Sequence, residues 1–188
     1  MKAIGLRIKS GFAIAAIVSK TGTGFAIEAV RTVALSTKEL PKSRFPYHPT
    51  IELPGRQGTA LSDQAVQEVR RTAAGEMHKL LQESAGIKRA AMVVGSVIDP
   101  DSLGNPHVRV HALEGKLFRE VVAAALAEQG IDCGVLVERD AYAKVAADTS
   151  TAEQRLRTEI AALGQGRIKP WRSEEKLATL AAWWKLRQ

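Results

Sequence analysis

Three short apolar runs separated by glycine-bearing turns fill residues 1–35, and they constrain the fold more than anything that follows. Residues 3–9 alternate, with Ile4, Leu6 and Ile8 on one side and Gly5, Arg7 and Lys9 on the other. That period belongs to a strand with one buried face. Ser10-Gly11 marks a turn. Phe12 to Ser19 carries no polar face and suits a strand covered on both sides. Lys20 to Gly24 is a second turn, and Phe25 to Leu35 is a third β-like run. Strands joined this tightly pair as an antiparallel meander. The glycines of the second turn lack the GxxxxGK[ST] pattern and a following helix, so they read as a hairpin turn and not a phosphate loop.

The chain then changes character. Thr37 to Gly58 holds four of the seven prolines together with Gly55 and Gly58, which disfavours helix. An ordered excursion is expected there, with a short edge strand at Thr50 to Leu53. Tyr47 and His48 read as packed loop residues, ligand contact being the alternative. Ser62 or Asp63 caps a helix running to about Glu83, with Val66, Val69, Ala73, Met77, Leu80 and Leu81 as its apolar stripe. Lys88 to Ile98 is nearly all apolar and reads as a central strand. Asn105-Pro106 starts a helix that reaches about Gln129, since Asn caps and proline fits the first helical position. Asp132 to Val137 is a further short strand. Tyr142 to Leu163 is helical in two pieces. Pro170-Trp171 leads to a last helix capped by Ser173, with Trp171, Leu177, Leu180, Ala181 and Trp184 packing and Trp183 more exposed. Its acids at the start and bases at the end suit the helix dipole.

Length and composition bound the rest. The 188 residues suit one domain, with a core over 3–163 and a C-terminal Trp-containing helix over 170–187. The formal charge of +7 favours an anionic partner, nucleic acid first, although the 27 basic residues form no dense block. The single cysteine, Cys133, allows no internal disulfide and fits a cytoplasmic protein. It lies in an apolar segment and reads as a buried thiol. The longest uncharged apolar run, Gly11 to Val18, is too short to cross a bilayer, so no membrane partner is expected. The N-terminus reads as a first strand and not as a signal peptide.

The order of three strands, helix, strand, helix, strand, helix resembles the ribonuclease H-like fold. In that fold a three-strand antiparallel meander is extended by two parallel strands through helical crossovers, so the class is α/β. The stretch IGLRIKSGFAIAAI is similar to the first hairpin of Holliday-junction resolvases of the RuvC type, and VRVHALEGKLFREVV to helical segments of that superfamily. The patterns PYHPTIE, NPHVRVHALEGKLF, VLVERDAYA and PWRSEEKLATLAAW also resemble a group of bacterial proteins with no assigned activity. The superfamily resemblance implies two divalent metals held by carboxylates, one of them near the middle of the first strand. Two metals clamp the attacking and leaving oxygens of a phosphodiester. This chain departs there: Arg7 and Lys9 take the outward positions, and no acid precedes Glu28. A cation at that place repels metals instead of binding them.

Several constellations remain as candidates. Asp99 and Asp101 follow the central strand, and Glu138 and Asp140 follow the last one, where open α/β sheets place their sites. They are the candidate catalytic carboxylates, with Mg²⁺ or Mn²⁺ as the cofactor of that reading only. The competing reading is a turn at Asp99-Pro100 and an ion network in which Arg7 and Arg139 pair with the acids. His107, His111 and Glu114 fall on one helix face at metal-ligand spacing, against histidines bonded to the preceding acidic loop. Arg7 and Lys9, with Arg70, Arg71, Lys79, Lys88, Arg89, Arg109, Lys116 and Arg119, are candidates for a phosphate-facing surface. Three functions follow. The first is a catalytically degenerate ribonuclease H-like protein that binds DNA, RNA or a nucleic-acid-associated complex, with no cofactor. The second is a divergent metal-dependent nuclease. The third is an interaction module whose C-terminal helix docks on a protein partner or a second copy.

Overall fold

The computed structural model describes residues 1–22, 24–53 and 55–188. Its centre is a five-stranded mixed sheet in the order β3-β2-β1-β4-β5. β1 (Lys2–Lys9), β2 (Phe12–Lys20) and β3 (Phe25–Ala34) form the antiparallel meander. β4 (Ile87–Val94) lies parallel to β1, and β5 (Cys133–Val137) lies parallel to β4. The alternation of β1 and the tight turns before β2 and β3 account for the meander. The long crossovers between parallel strands are supplied by helices, as a parallel pair requires.

Both faces of the sheet are covered. On one face lie α2 (Arg56–Glu83) and α3 (Pro106–Ala127). Val69, Ala73, Met77, Leu117, Phe118 and Val122 there pack against Ile4, Leu6, Ile8, Ala15 and Met92. On the other face lie α4 (Ala141–Asp148), α5 (Glu153–Gly164) and α6 (Ser173–Arg187). Leu156, Ile160, Leu177, Leu180 and Trp183 pack there with Ala91, Val93 and Leu136. α6 runs directly over β1: a Cβ on Gly5 would stand 1.8 Å from the carbonyl oxygen of Ala178. Glycine is what lets the helix backbone come that close.

This second layer changes three expectations. β1 is buried on both faces, so Arg7 is buried and not outward-facing. Trp183, expected at the surface, has no exposed area and donates its indole N–H to Glu159. Trp184 is also buried and donates to Asp148, and Trp171 donates to the carbonyl of Ala161. Trp183 and Trp184 are therefore enclosed within the chain, while Trp171 stays half-buried. The cap of α6 is also one residue earlier than expected. The backbone N–H of Arg172 donates to Glu175 at 2.8 Å, a bond from the cap residue back to the first turn.

The proline-rich excursion is more helical than its composition suggests. It holds a 3₁₀ turn at Pro41–Arg44 and a single helical turn, α1 (Pro49–Glu52), where an edge strand was expected. Pro41 and Pro49 each open their turn, the one helical place where a missing N–H costs nothing. α2 begins at Arg56, ahead of the expected cap at Ser62 or Asp63, and Ser62 is buried inside it. Gly58 lies inside the helix, and only glycine fits there, because a Cβ would lie 1.7 Å from the carbonyl oxygen of Leu53. β4 stops at Val94, short of Ile98; Val97 and Ile98 are exposed in the loop beyond it. No helix of the described residues is long and apolar enough to cross a membrane.

Candidate functional site

Two charged centres stand at the end of the sheet where β1 and the parallel strands finish. The first is built on Arg7, which lies opposite Ile14 of β2 and beside Val93 of β4. Its guanidinium donates to the carbonyls of Ile8 at 2.8 Å and Val93 at 3.4 Å, and pairs with the carboxylate of Glu138 just after β5. Arg7 is buried while Glu138 is half exposed. Nε of Arg7 has no acceptor.

The other candidate carboxylates do not join Glu138. Asp99 lies beyond the end of β4, where its Oδ1 accepts the N–H of Asp101 at 3.1 Å and caps a 3₁₀ turn at Pro100–Ser102. Asp101 accepts from Arg109 at 2.6 Å, and Asp140 accepts from Arg139 at 3.0 Å. Among the described residues, no three of Asp99, Asp101, Glu138 and Asp140 come within 4.8 Å of one another.

The second centre is built on Glu114. Asn105 caps α3 by accepting from the N–H groups of His107 and Val108, and Pro106 opens the helix. Counting from there puts His107, His111 and Glu114 on one face. Glu114 points inward and is buried, whereas His107 and His111 are exposed. His48, at the start of α1, closes over them from the excursion. Its Nδ1 stands 2.8 Å from Glu114 Oε1, which the N–H of Tyr47 also approaches at 3.4 Å. Nδ1 of His111 stands 3.4 Å from Glu114 Oε2, yet that oxygen is left without a hydrogen-bond partner. The three imidazoles pack edge to face, with ring centres 4.7 to 5.6 Å apart.

Contrary to the expectation from sequence, neither histidine of α3 bonds to the preceding acidic loop. Asp101 in that loop is taken by Arg109, and the histidines face each other, Nε2 to Nε2, at 3.2 Å. By sequence His48 reads as a packed loop residue, and nothing local in PYHP reveals that it meets α3. A cleft of about 280 Å³ separates the two centres, lined by Arg7, Lys9, Ser10, Ser96, His111 and Phe118. Of the bases proposed to face phosphate, Arg70, Arg71, Arg109 and Lys116 are exposed on α2 and α3. Arg71 makes two bonds to Glu68, whose carboxyl it holds below the usual range. Lys9 reaches Glu174 at 3.7 Å.

No protein-family model matches the chain, and no curated protein sequence does. Solved structures do match. RuvC of Thermus thermophilus superposes with a TM-score of 0.57 at 13% identity, over 100% of this chain and 94% of that one. The same protein in complex with a Holliday junction substrate gives a TM-score of 0.58 at 10% identity, over 100% and 94%. The yeast mitochondrial Holliday junction resolvase Ydc2 gives 0.50 at 9%, over 98% and 77%. The chain has the ribonuclease H-like fold.

A ribonuclease H-like nuclease with two metals needs a group of carboxylates around the first strand. The residues here do not fit such a pair. The first strand supplies a buried arginine, the acid nearest to it is already its partner, and β4 runs out through Val94, Gly95 and Ser96 with no acid. A guanidinium within a metal's reach adds repulsion in a medium of reduced dielectric.

Proposed function

We propose that this ribonuclease H-like protein binds the backbone of DNA or RNA, or a complex assembled on it, without cleaving by a two-metal mechanism. The observation that carries the reading is the Arg7–Glu138 pair, which puts a bound cation where the fold's nucleases need free carboxylates. The formal charge of +7 supports the binding half, and so do the exposed bases on the α2–α3 layer. Contacts of this kind neutralise phosphates and carry no base code. The RuvC structure with a Holliday junction supplies the choice of substrate to try first.

The test is fluorescence anisotropy with a four-way junction, a duplex and an RNA–DNA hybrid, repeated over a salt series. Binding at low salt should weaken steeply as salt rises. Replacing both Arg109 and Lys116 by Ala should reduce the slope of log affinity against log salt by about 1 to 2. The same substrates incubated with Mg²⁺ or Mn²⁺ should remain intact. No binding at low salt on any substrate would remove the proposal, and metal-dependent cleavage lost in Glu138→Gln would replace it with the nuclease reading.

A further inference from the structure

His48, His107 and His111 meet where the proline-rich excursion crosses the first turns of α3. We propose that they form a binding site for one late first-row transition-metal ion of the Zn²⁺ class, with Glu114 behind them as the orienting carboxylate. This goes beyond nucleic-acid binding and does not depend on it.

Distance is the first argument. One nitrogen from each histidine lies within 4.8 Å of the other two. Nε2 of His107 and Nε2 of His111 are 3.2 Å apart. Two nitrogens bound to a tetrahedral zinc at about 2.0–2.1 Å stand about 3.3–3.4 Å from each other. The pair on α3 is therefore at bite distance before any metal arrives.

The second argument is the carboxylate. Glu114 Oε1 accepts from Nδ1 of His48, which fixes the proton on that nitrogen and leaves Nε2 of His48 as a lone-pair donor. Glu114 Oε2 is buried without a donor while Nδ1 of His111 stands 3.4 Å away. A small turn of the His111 ring satisfies that oxygen and leaves its Nε2 free for metal. A buried carboxylate bonded to the outer nitrogen of metal-bound histidines is a recurrent support, because it fixes the tautomer and raises the basicity of the ligand.

The third argument is selectivity and access. Three imidazoles suit zinc, cobalt, nickel or copper and are poor ligands for magnesium and calcium, which take oxygen. His107 and His111 are exposed, so a fourth position is open to water. A plain ion pair between His48 and Glu114 accounts for one contact only. It does not account for two exposed histidines turning Nε2 toward each other when both could be hydrated.

The untagged 188-residue chain, stripped with a chelator, is titrated with Zn²⁺ by calorimetry and with Co²⁺ by visible absorption. One equivalent should bind, with cobalt bands of four-coordinate intensity. His48→Ala, His107→Ala and His111→Ala should each weaken binding more than Glu114→Gln does, whose loss should be about 10- to 100-fold. His78→Ala is the control: His78 lies on α2 bonded to Gln82 and should change nothing. Circular dichroism establishes that each variant is folded. Absent binding, a six-coordinate cobalt spectrum, or undiminished affinity in any folded variant of His48, His107 or His111 overturns the site.

Discussion

Arg7 and Glu114 are the two residues whose side chains hold a buried, unpartnered polar atom among the described residues. Their settings differ. Arg7 is buried in the sheet, with two backbone carbonyls and Glu138 already engaged by its terminal nitrogens, and only Nε is left over. Glu114 sits under three imidazoles, and its leftover Oε2 has a nitrogen donor at 3.4 Å that it does not yet bond. An orphan in a closed network is a structural cost. An orphan facing a movable donor is a place where binding can complete a hydrogen bond. The first centre is thus a matter for the fold alone, and the second is the one proposed to take a ligand.

The largest expected effect breaks the first centre. Glu138→Ala leaves the Arg7 cation buried without its partner and should lower unfolding stability by about 3 kcal/mol, read by urea denaturation. Arg7→Met should behave differently, since it removes the buried charge and its unpartnered Nε together while Glu138 reaches water. Stability should stay within about 1 kcal/mol of the parent or rise. Equal losses in both variants would mean that packing, not charge, holds this end of the sheet.

Next in size is Glu114→Gln. Without metal it keeps an acceptor for His48 and should cost about 1–2 kcal/mol, the range for weakening a buried charge-assisted bond. By contrast His107→Ala and His111→Ala, at exposed positions, should fall within about 0.5 kcal/mol of the parent in metal-free urea curves. A large metal-free loss in the histidine variants would make the cluster structural and sink the contrast drawn above.

Cys133 gives the smallest effect and a check on burial. Desolvation, with Asp132 adding to it, pushes its thiol from the ordinary 9.0 up to about 12. The folded protein should therefore react slowly with iodoacetamide at pH 8, where thiolate is scarce. The folded state holds this proton more tightly than the unfolded state. The contribution to stability is thus complete below pH 9.0 and declines between 9.0 and about 12. A rate equal to that of a free thiol would show that the half-buried Cys133 thiol is open to solvent.

Much of this fold is legible in the residues. The alternation of Ile4, Leu6 and Ile8, the glycine turns, and the Asn105-Pro106 cap each state a local rule that the chain obeys. What stayed hidden depends on layers and on distance along the chain. Arg7 was placed outward because alternation gives a strand two faces and does not say that α6 covers the second. Trp183 was misplaced for the same reason: α6 is wedged between the sheet and α5, so a residue off its main stripe is buried too. Gly58 reads as a loop residue because composition does not show how closely the backbone at Leu53 turns back onto the first turn of α2. In the candidate site, the spacing of His107, His111 and Glu114 was visible, but Glu114 turned inward. His48 reaches Glu114 across 66 residues, a separation over which sequence pattern carries no signal.

The contrast between a closed and an open centre is tested most directly by anomalous diffraction from crystals grown with Zn²⁺ and, separately, with Mn²⁺. The account predicts a zinc peak bonded to nitrogens of His48, His107 and His111, with the Glu114 carboxylate bonded behind them. It predicts no manganese peak beside Glu138, where Arg7 keeps its place. A manganese peak on Glu138 with Arg7 swung away, or zinc absent from the histidines, would contradict it.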